Sequence, residues 1–458
     1  MLAVLWSLQW RKMVCLAAAL TFGAASARAT PYLVADADTG QVLTESEGAA
    51  VWYPASLTKL MTVYVALDAV RAGKLTLDTP LVMSARAARM PPSKMGFRPG
   101  TEVTLDNALK MLMVKSPNDV AVMVAEGISG SVEGFTDDMN AAARRLGLHE
   151  SHFVNPNGLH DPNHVSSARD MAIIARALLR EFPGHADLFG IGELQLGRQI
   201  IRNHNGLLGR YPGADGMKTG FTCPAGFNVV ASANHYGRRL IVVVLGAPTA
   251  KLRTIEAANL LDRGFAMGGG SSSLDSLPAS GSGVAPNMRS EICTRRSAAV
   301  IAAAEEEENM IEPSHASPGG RGGVFSAFAA SLAPSHTEIS DERPVFNPVP
   351  VFVGPVPGWR GPVLAARPKG GAEGVTANDA KAYAPEKPSA LENAAAEGEA
   401  PNAPAVLQGA VRTPPAAVLA RKPARHAASA NRGGKNPAST RTLKAKNDRS
   451  DKRGAEAN

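Results

Sequence analysis

The sequence predicts an α+β fold, a mainly antiparallel sheet flanked by helices and followed by a long disordered tail. Three observations predict it. Strand-like runs stand at both ends of residues 30–267, helical runs lie between them, and after Phe265 the composition turns to Ala, Pro, Gly and Ser without periodic apolar residues. Strands at both ends with helices between place the N-terminal hairpin beside the C-terminal strands of one sheet, with helices packed on it. A folded domain of roughly 235 residues is large enough for one hydrophobic core.

Tyr32 to Ala37 reads as a strand, Asp38-Thr39-Gly40 as a turn and Gln41 to Thr44 as the returning strand, an opening hairpin. Leu57 through Val70 is apolar on most faces, which marks a buried helix. Helical patterns follow near Leu105–Val114, Asp119–Ile128, Val132–Leu146 and Ala168–Leu179. Two β-branched runs, Phe227–Ala233 and Leu240–Leu245, flank the turn-like Asn234-His235-Tyr236-Gly237, and an amphipathic helix spans Lys251 to Arg263.

Residues 1–29 read as an export signal. Arg11 and Lys12 precede the apolar run Met13 to Ala25, and Ala27-Arg28-Ala29 has the small-x-small pattern of a cleavage site. That run is shorter than the roughly 20 residues a membrane-spanning helix needs. A periplasmic location follows as the expectation. Cys15 leaves with the signal, and the remaining Cys223 and Cys293 read as two incidental thiols rather than a disulfide framework. No CxxC or His cluster points to a metal.

Residues 268–458 read as a low-complexity tail. Its Pro- and Val-rich stretch 344–363 favours extended polyproline geometry. Residues 421–458 hold eleven Lys or Arg against three acidic residues, so the net charge of +7 on the whole chain belongs to the tail. Such a run stays solvated, with weak contact to anionic envelope polymers as its functional reading. Export argues against nucleic acid as a partner.

Three short motifs carry the chemistry. Ser56-Leu57-Thr58-Lys59 opens the buried helix, where positions i and i+3 share a face and the amine can reach the hydroxyl. A serine needs a neighbour to take its proton, and lysine does so only as a neutral amine, with its pKa lowered by burial or by another cation. Ser116-Pro117-Asn118 lies between two helical patterns, offering a hydroxyl to relay a proton and an amide for a substrate carbonyl; it also reads as a helix cap. Lys218-Thr219-Gly220 precedes the strand Phe227–Ala233. It suits a carboxylate, allows close backbone approach at Gly220, and supplies a cation that would lower the pKa of Lys59 if the two meet.

In this order, the three motifs resemble those of penicillin-binding proteins and class A β-lactamases. Over residues 31–265 the chain is similar to the low-molecular-mass penicillin-binding proteins, the serine-type D-alanyl-D-alanine carboxypeptidases. The resemblance extends to Tyr53-Pro54-Ala55 before Ser56, to Asn155-Pro156-Asn157-Gly158-Leu159, to Ser166 through Met171, to Gly213 through Gly220 and to Ala225 through Ala233. It implies the transpeptidase-like fold shared with β-lactamases and hydrolysis of the terminal D-alanine from peptidoglycan stem peptides. Ser56 would be the nucleophile, Lys59 the base and Ser116 the proton relay. Asn118 would hold the stem peptide and Lys218 and Thr219 the terminal carboxylate, with the oxyanion on the N–H groups of Ser56 and Phe221. β-Lactams would mimic the substrate. No metal or organic cofactor is implied, and Arg253 is a further candidate for the carboxylate.

The sequence departs from the pattern at Pro117, where these carboxypeptidases usually have Gly, and at Phe221, often a polar position in them. Neither a small β-rich domain nor a terminal amphipathic membrane helix is expected after Phe265. A D,D-endopeptidase with the same residues remains open, as does a non-catalytic penicillin-binding scaffold. A class A β-lactamase lacks support because no Glu-x-x-x-Asn lies between the second and third motifs.

Overall fold

A computed structural model describes residues 30–280, 283–293 and 344–367. Strands β1 (Tyr32–Asp36), β2 (Gln41–Ser46), β7 (Ala214–Thr222), β8 (Gly226–His235), β9 (Arg238–Ala247) and β10 (Ser272–Ser273) form one six-stranded sheet in the order β10-β2-β1-β9-β8-β7. Its named pairings are all antiparallel, and the opening hairpin joins the C-terminal strands where β1 pairs with β9, Val34 opposite Val242. The expected layout is the observed one.

Leu240 to Leu245 of β9 are all buried. Side chains alternate across a strand, so both faces of the sheet centre are covered, which explains a continuous apolar run in place of an alternating one. Helices α5 (Ala168–Glu181) and α6 (Ala250–Ala266) both pack on β9. The helical part comprises α1 (Thr58–Arg71), α2 (Leu105–Val114), α3 (Asn118–Ser129) and α4 (Val132–Arg145). Helix α1 is buried along most of its length and touches α2, α3, α4 and α5, so it needs no polar face. Two small sheets complete the fold: β3 (Pro80–Val82) with β4 (Glu102–Thr104), and β5 (Glu193–Leu196) with β6 (Gln199–Arg202).

The boundary expected at residue 267 is corrected. Beyond it, β10 pairs with β2, and Ala285, Met288 and Ile292 are buried against the domain. The extended stretch predicted at 344–363 is a strap: β11 (Val349–Val351) pairs in parallel with β5, and Leu364 and Gly354 bridge to Leu81 and Val103. Apolar residues spaced along a Pro-rich segment dock on an existing edge without any period of their own, so pattern reading overlooks them. Cys223 and Cys293 form a disulfide, correcting the reading of two incidental thiols. The expected signal peptide and basic run 421–458 lie outside the described residues. Among the described residues no helix is long and apolar enough to cross a membrane.

Candidate active site

Ser56 lies in a helical turn, Ala55–Leu57, that leads into α1. The turn is bound to the sheet from below: Asn228 Nδ2 donates to the carbonyls of Tyr53 and Pro54 at 3.0 and 3.2 Å. Asn228 is fully buried, and these bonds, with the Gly246 N–H donating to its Oδ1 at 2.8 Å, satisfy it. Ala55 has φ +48°, a left-handed conformation costly for a residue with a β-carbon. It persists because the turn is held from both sides.

Lys59 is completely buried. Its Nζ lies 2.9 Å from Ser56 Oγ, 3.0 Å from Asn118 Oδ1 and 2.7 Å from the carbonyl of Asn157. Burial holds its pKa well below the ordinary lysine value; the charge of Lys218 adds to the depression, and Asp119 opposes it. The meeting of two cations expected from the sequence is therefore present. Asn157 lies in a segment that carries the resemblance, but its contact with Lys59 was not foreseen. It belongs to the turn Asn155–Leu159, which Thr62 anchors to α1 by donating to the carbonyl of Pro156 at 2.6 Å. Gly158 in that turn has φ +83°, and a β-carbon there would sit 1.9 Å from the Ala55 carbonyl oxygen. Only glycine permits this approach.

Ser116 links α2 to α3 with φ +60°, and its buried Oγ has no hydrogen-bond partner. Asn118 makes contacts within the protein as well. Its Nδ2 donates to the carbonyls of Pro91 and Pro92, both at 3.1 Å, while its Oδ1 accepts from Lys59. Asn118, which lines the cleft, thus also positions Lys59 and the 91–93 segment. Asp119 secures the same segment, accepting from the N–H groups of Met95 and Gly96.

The opposite wall is β7. Lys218 and Thr219 are buried, and Lys218 Nζ donates to the Thr219 carbonyl at 2.7 Å. Gly220 lines the cleft, but what crowds it is the protein's own backbone: a β-carbon would lie 3.0 Å from Pro54 O, Ser56 N and Leu57 N. Phe221 packs its ring against that of Phe227, tilted by 31° with centroids 4.3 Å apart. Together Ser56, Ser116, Asn118, Lys218, Thr219, Gly220 and Phe221 line one cleft of about 190 Å3, with Lys59 beneath it. Arg253 is buried and donates to the His204 carbonyl at 3.3 Å.

Two histidines were missed. His204 lines the cleft, and burial with nearby Lys218, Lys115 and Arg253 pushes its pKa down to about 3. His164 is buried beside α1, also with a pKa of about 3, chiefly through burial. Its Nδ1 accepts from the Val154 N–H, which leaves the proton on Nε2 to donate to Thr58 Oγ1 at 2.7 Å. A lone histidine in a loop carries no spacing signal. Only the density of Asn and Gly around His204 marks the segment as a built turn.

The arrangement is a serine whose hydroxyl meets a buried amine, in a cleft walled by a second lysine and a threonine. That suits covalent attack on a carbonyl of an anionic substrate. The family model for D-alanyl-D-alanine carboxypeptidase matches residues 18–249. The D-alanyl-D-alanine carboxypeptidase DacA of Haemophilus influenzae is 41% identical over 244 residues, covering 52% of this chain and 62% of that protein. DacB2 of Mycobacterium tuberculosis is 34% identical over 251 residues, covering 52% of this chain and 83% of its own length. A crystal structure of penicillin binding protein 5 from Haemophilus influenzae superposes with a TM-score of 0.50 at 39% identity, covering 52% of this chain and 70% of the other.

Proposed function

This chain belongs to the D-alanyl-D-alanine carboxypeptidase family, and on that footing we propose that it is an exported, penicillin-binding serine hydrolase removing the terminal D-alanine from peptidoglycan pentapeptide stems. The observation that carries the reading is the contact of buried Lys59 with Ser56 Oγ in the field of Lys218.

The chemistry follows from the amine's valence. A neutral amine has two hydrogens and one lone pair. Asn118 Oδ1 and the Asn157 carbonyl take the hydrogens, so the lone pair is left for the Ser56 hydroxyl. Ser56 attacks the carbonyl of the penultimate D-alanine and Lys59 accepts its proton. The oxyanion rests on the N–H groups of Ser56 and Phe221. An ammonium at Lys59 is disfavoured by burial and by Lys218, so it gives the proton up readily, through Ser116 to the departing amine. The C–N bond breaks, D-alanine leaves, and water attacks the ester with Lys59 again as base. Lys218 and Thr219 hold the terminal carboxylate. β-Lactams acylate Ser56 as substrate mimics. The protein would act in the periplasm, without a cofactor.

The test is mass spectrometry of the purified chain with disaccharide pentapeptide and, separately, with cross-linked dimer. Loss of one alanine with the dimer intact is the expected result. Cleavage of the dimer assigns an endopeptidase, and no change in either substrate overturns the hydrolase in favour of a binding scaffold.

A further inference from the structure

The catalytic proposal leaves two groups of the cleft unused, Lys115 and His204. Lys115 caps the C-terminal end of α2 immediately before Ser116 and lines the cleft together with Lys218. Its backbone is fixed, its N–H donating to the Met111 carbonyl and its own carbonyl accepting from Ser93 Oγ at 3.0 Å. No Asp or Glu is among the residues that line the cleft. His204 Nδ1 is buried without a hydrogen-bond partner.

The imidazole is not there by accident of a loose loop. Asn203 Nδ2 donates to the Ile191 carbonyl at 2.8 Å, and the Asn203 N–H to that of Gly192 at 2.8 Å. Asn205 Nδ2 donates to the Gly216 carbonyl at 2.9 Å, and Asn205 N–H to Asn203 Oδ1 at 3.0 Å. Both neighbours of His204 are thus tied to other elements, which fixes the backbone that carries the ring, as a preorganised binding group requires. Lys115, Ser116, His204, Lys218 and Thr219 line the same cleft, and Lys115 directly precedes Ser116 in the chain. They therefore lie where Lys218 and Thr219 would hold the terminal carboxylate and Ser116 would face the departing amine. A buried ring nitrogen without a hydrogen-bond partner is costly, and the half-buried Lys115 offers an ammonium in the same cleft.

We propose that Lys115 and His204 form a second anion subsite at the leaving-group end of the cleft, taking a departing amino acid or peptide that carries a carboxylate beside the terminal one. This rests on the hydrolase reading above and narrows its substrate class. The neutral imidazole donates one N–H to the second carboxylate and the Lys115 ammonium pairs with it. The bond chemistry is unchanged: the same amide is cleaved through Ser56, water supplies the hydroxyl and the proton, and only the leaving amine differs.

The experiment compares N-acylated peptides ending in D-Ala-D-Ala, D-Ala-D-Glu and D-Ala-D-Gln, using the full chain and its Lys115→Met and Lys115→Arg variants. Glu and Gln differ in charge at nearly equal size. In the wild type, kcat/KM should favour D-Glu over D-Gln about fivefold or more at low salt, with the difference in KM and shrinking as salt is added. Lys115→Met should bring the ratio to one, and Lys115→Arg should keep it. A wild-type ratio at or below one, or a ratio unmoved by Lys115→Met, overturns the subsite while D-Ala-D-Ala turnover leaves the hydrolase standing. Absence of D-Ala-D-Ala turnover in the wild type overturns both.

Discussion

Lys218, in the wall of the cleft, and Lys59, beneath it, are buried to 2% and 0% exposure, and the charge of Lys218 lowers the proton affinity of Lys59. Removing that charge should restore part of the affinity. In Lys218→Met the pKa of Lys59 rises, so the neutral amine appears only at higher pH. The acidic limb of the pH profile for acylation by a fluorescent penicillin should move upward, whatever happens to its plateau. Stopped-flow acylation across pH reads this directly, and a limb that stays in place would remove Lys218 from the activation of Lys59.

Gly220 and the Ser56 turn leave no room for a methyl group between them. Three backbone atoms lie 3.0 Å from the would-be β-carbon of Gly220, and backbone cannot swing aside as a side chain can. Gly220→Ala should push β7 away from the nucleophile. Misplacement of reacting groups by about 1 Å costs on the order of 100-fold in rate. Penicillin acylation should fall by about 10- to 100-fold while the protein still melts cooperatively.

Ser56→Ala should abolish covalent penicillin labelling without unfolding the chain, because the hydroxyl's contact with Lys59 is a small part of a fully packed helix. Intact-mass analysis after incubation measures it. Labelling that persists on another residue would reassign the nucleophile.

His164 and His204 both have pKa values of about 3 in the folded chain, below the ordinary 6.5. Between those values the unfolded chain binds protons that the folded chain refuses. Stability from these groups is therefore fully present above about pH 6.5 and is lost as pH falls toward 3, each buried group contributing a slope on the order of 1.4 kcal/mol per pH unit. His164→Gln should flatten the fall of melting temperature between pH 6 and pH 4; an unchanged slope would show that His164 is not the group protonated.

The Cys223–Cys293 bridge joins the β7–β8 turn to the segment that buries Ala285, Met288 and Ile292, across 70 residues of sequence. Loss of a bridge closing so long a loop should cost roughly 2–5 kcal/mol. Cys293→Ser should lower the urea midpoint accordingly, and reductant should lower the wild type to the same value while leaving the variant unmoved.

Local chemistry wrote much of the fold into the chain. The six β-branched and leucine residues from Leu240 to Leu245 specify a strand covered on both faces, and the serine and lysine of Ser56–Lys59 share a helix face because three residues make nearly one turn. Asn118 shows the limit. Its place in a motif was legible, but its bonds to the carbonyls of Pro91 and Pro92, 27 and 26 residues away, were not. Gly220 shows the same limit: its need for space was legible, and its neighbour, the Ser56 turn, was not.

The sequence by itself determined the order of elements, the motif serines and lysines and the kind of chemistry they can do, because periodicity and side-chain valence are local properties. Only the tertiary structure decided that Lys218 reaches Lys59, that Asn157 supplies a carbonyl and His204 an unpaired nitrogen, that Cys223 finds Cys293, and that residues 344–367 dock as a strap. Each of these joins groups distant along the chain, and which distant groups meet is fixed by how the helices and the sheet pack, not by the preferences of any one segment.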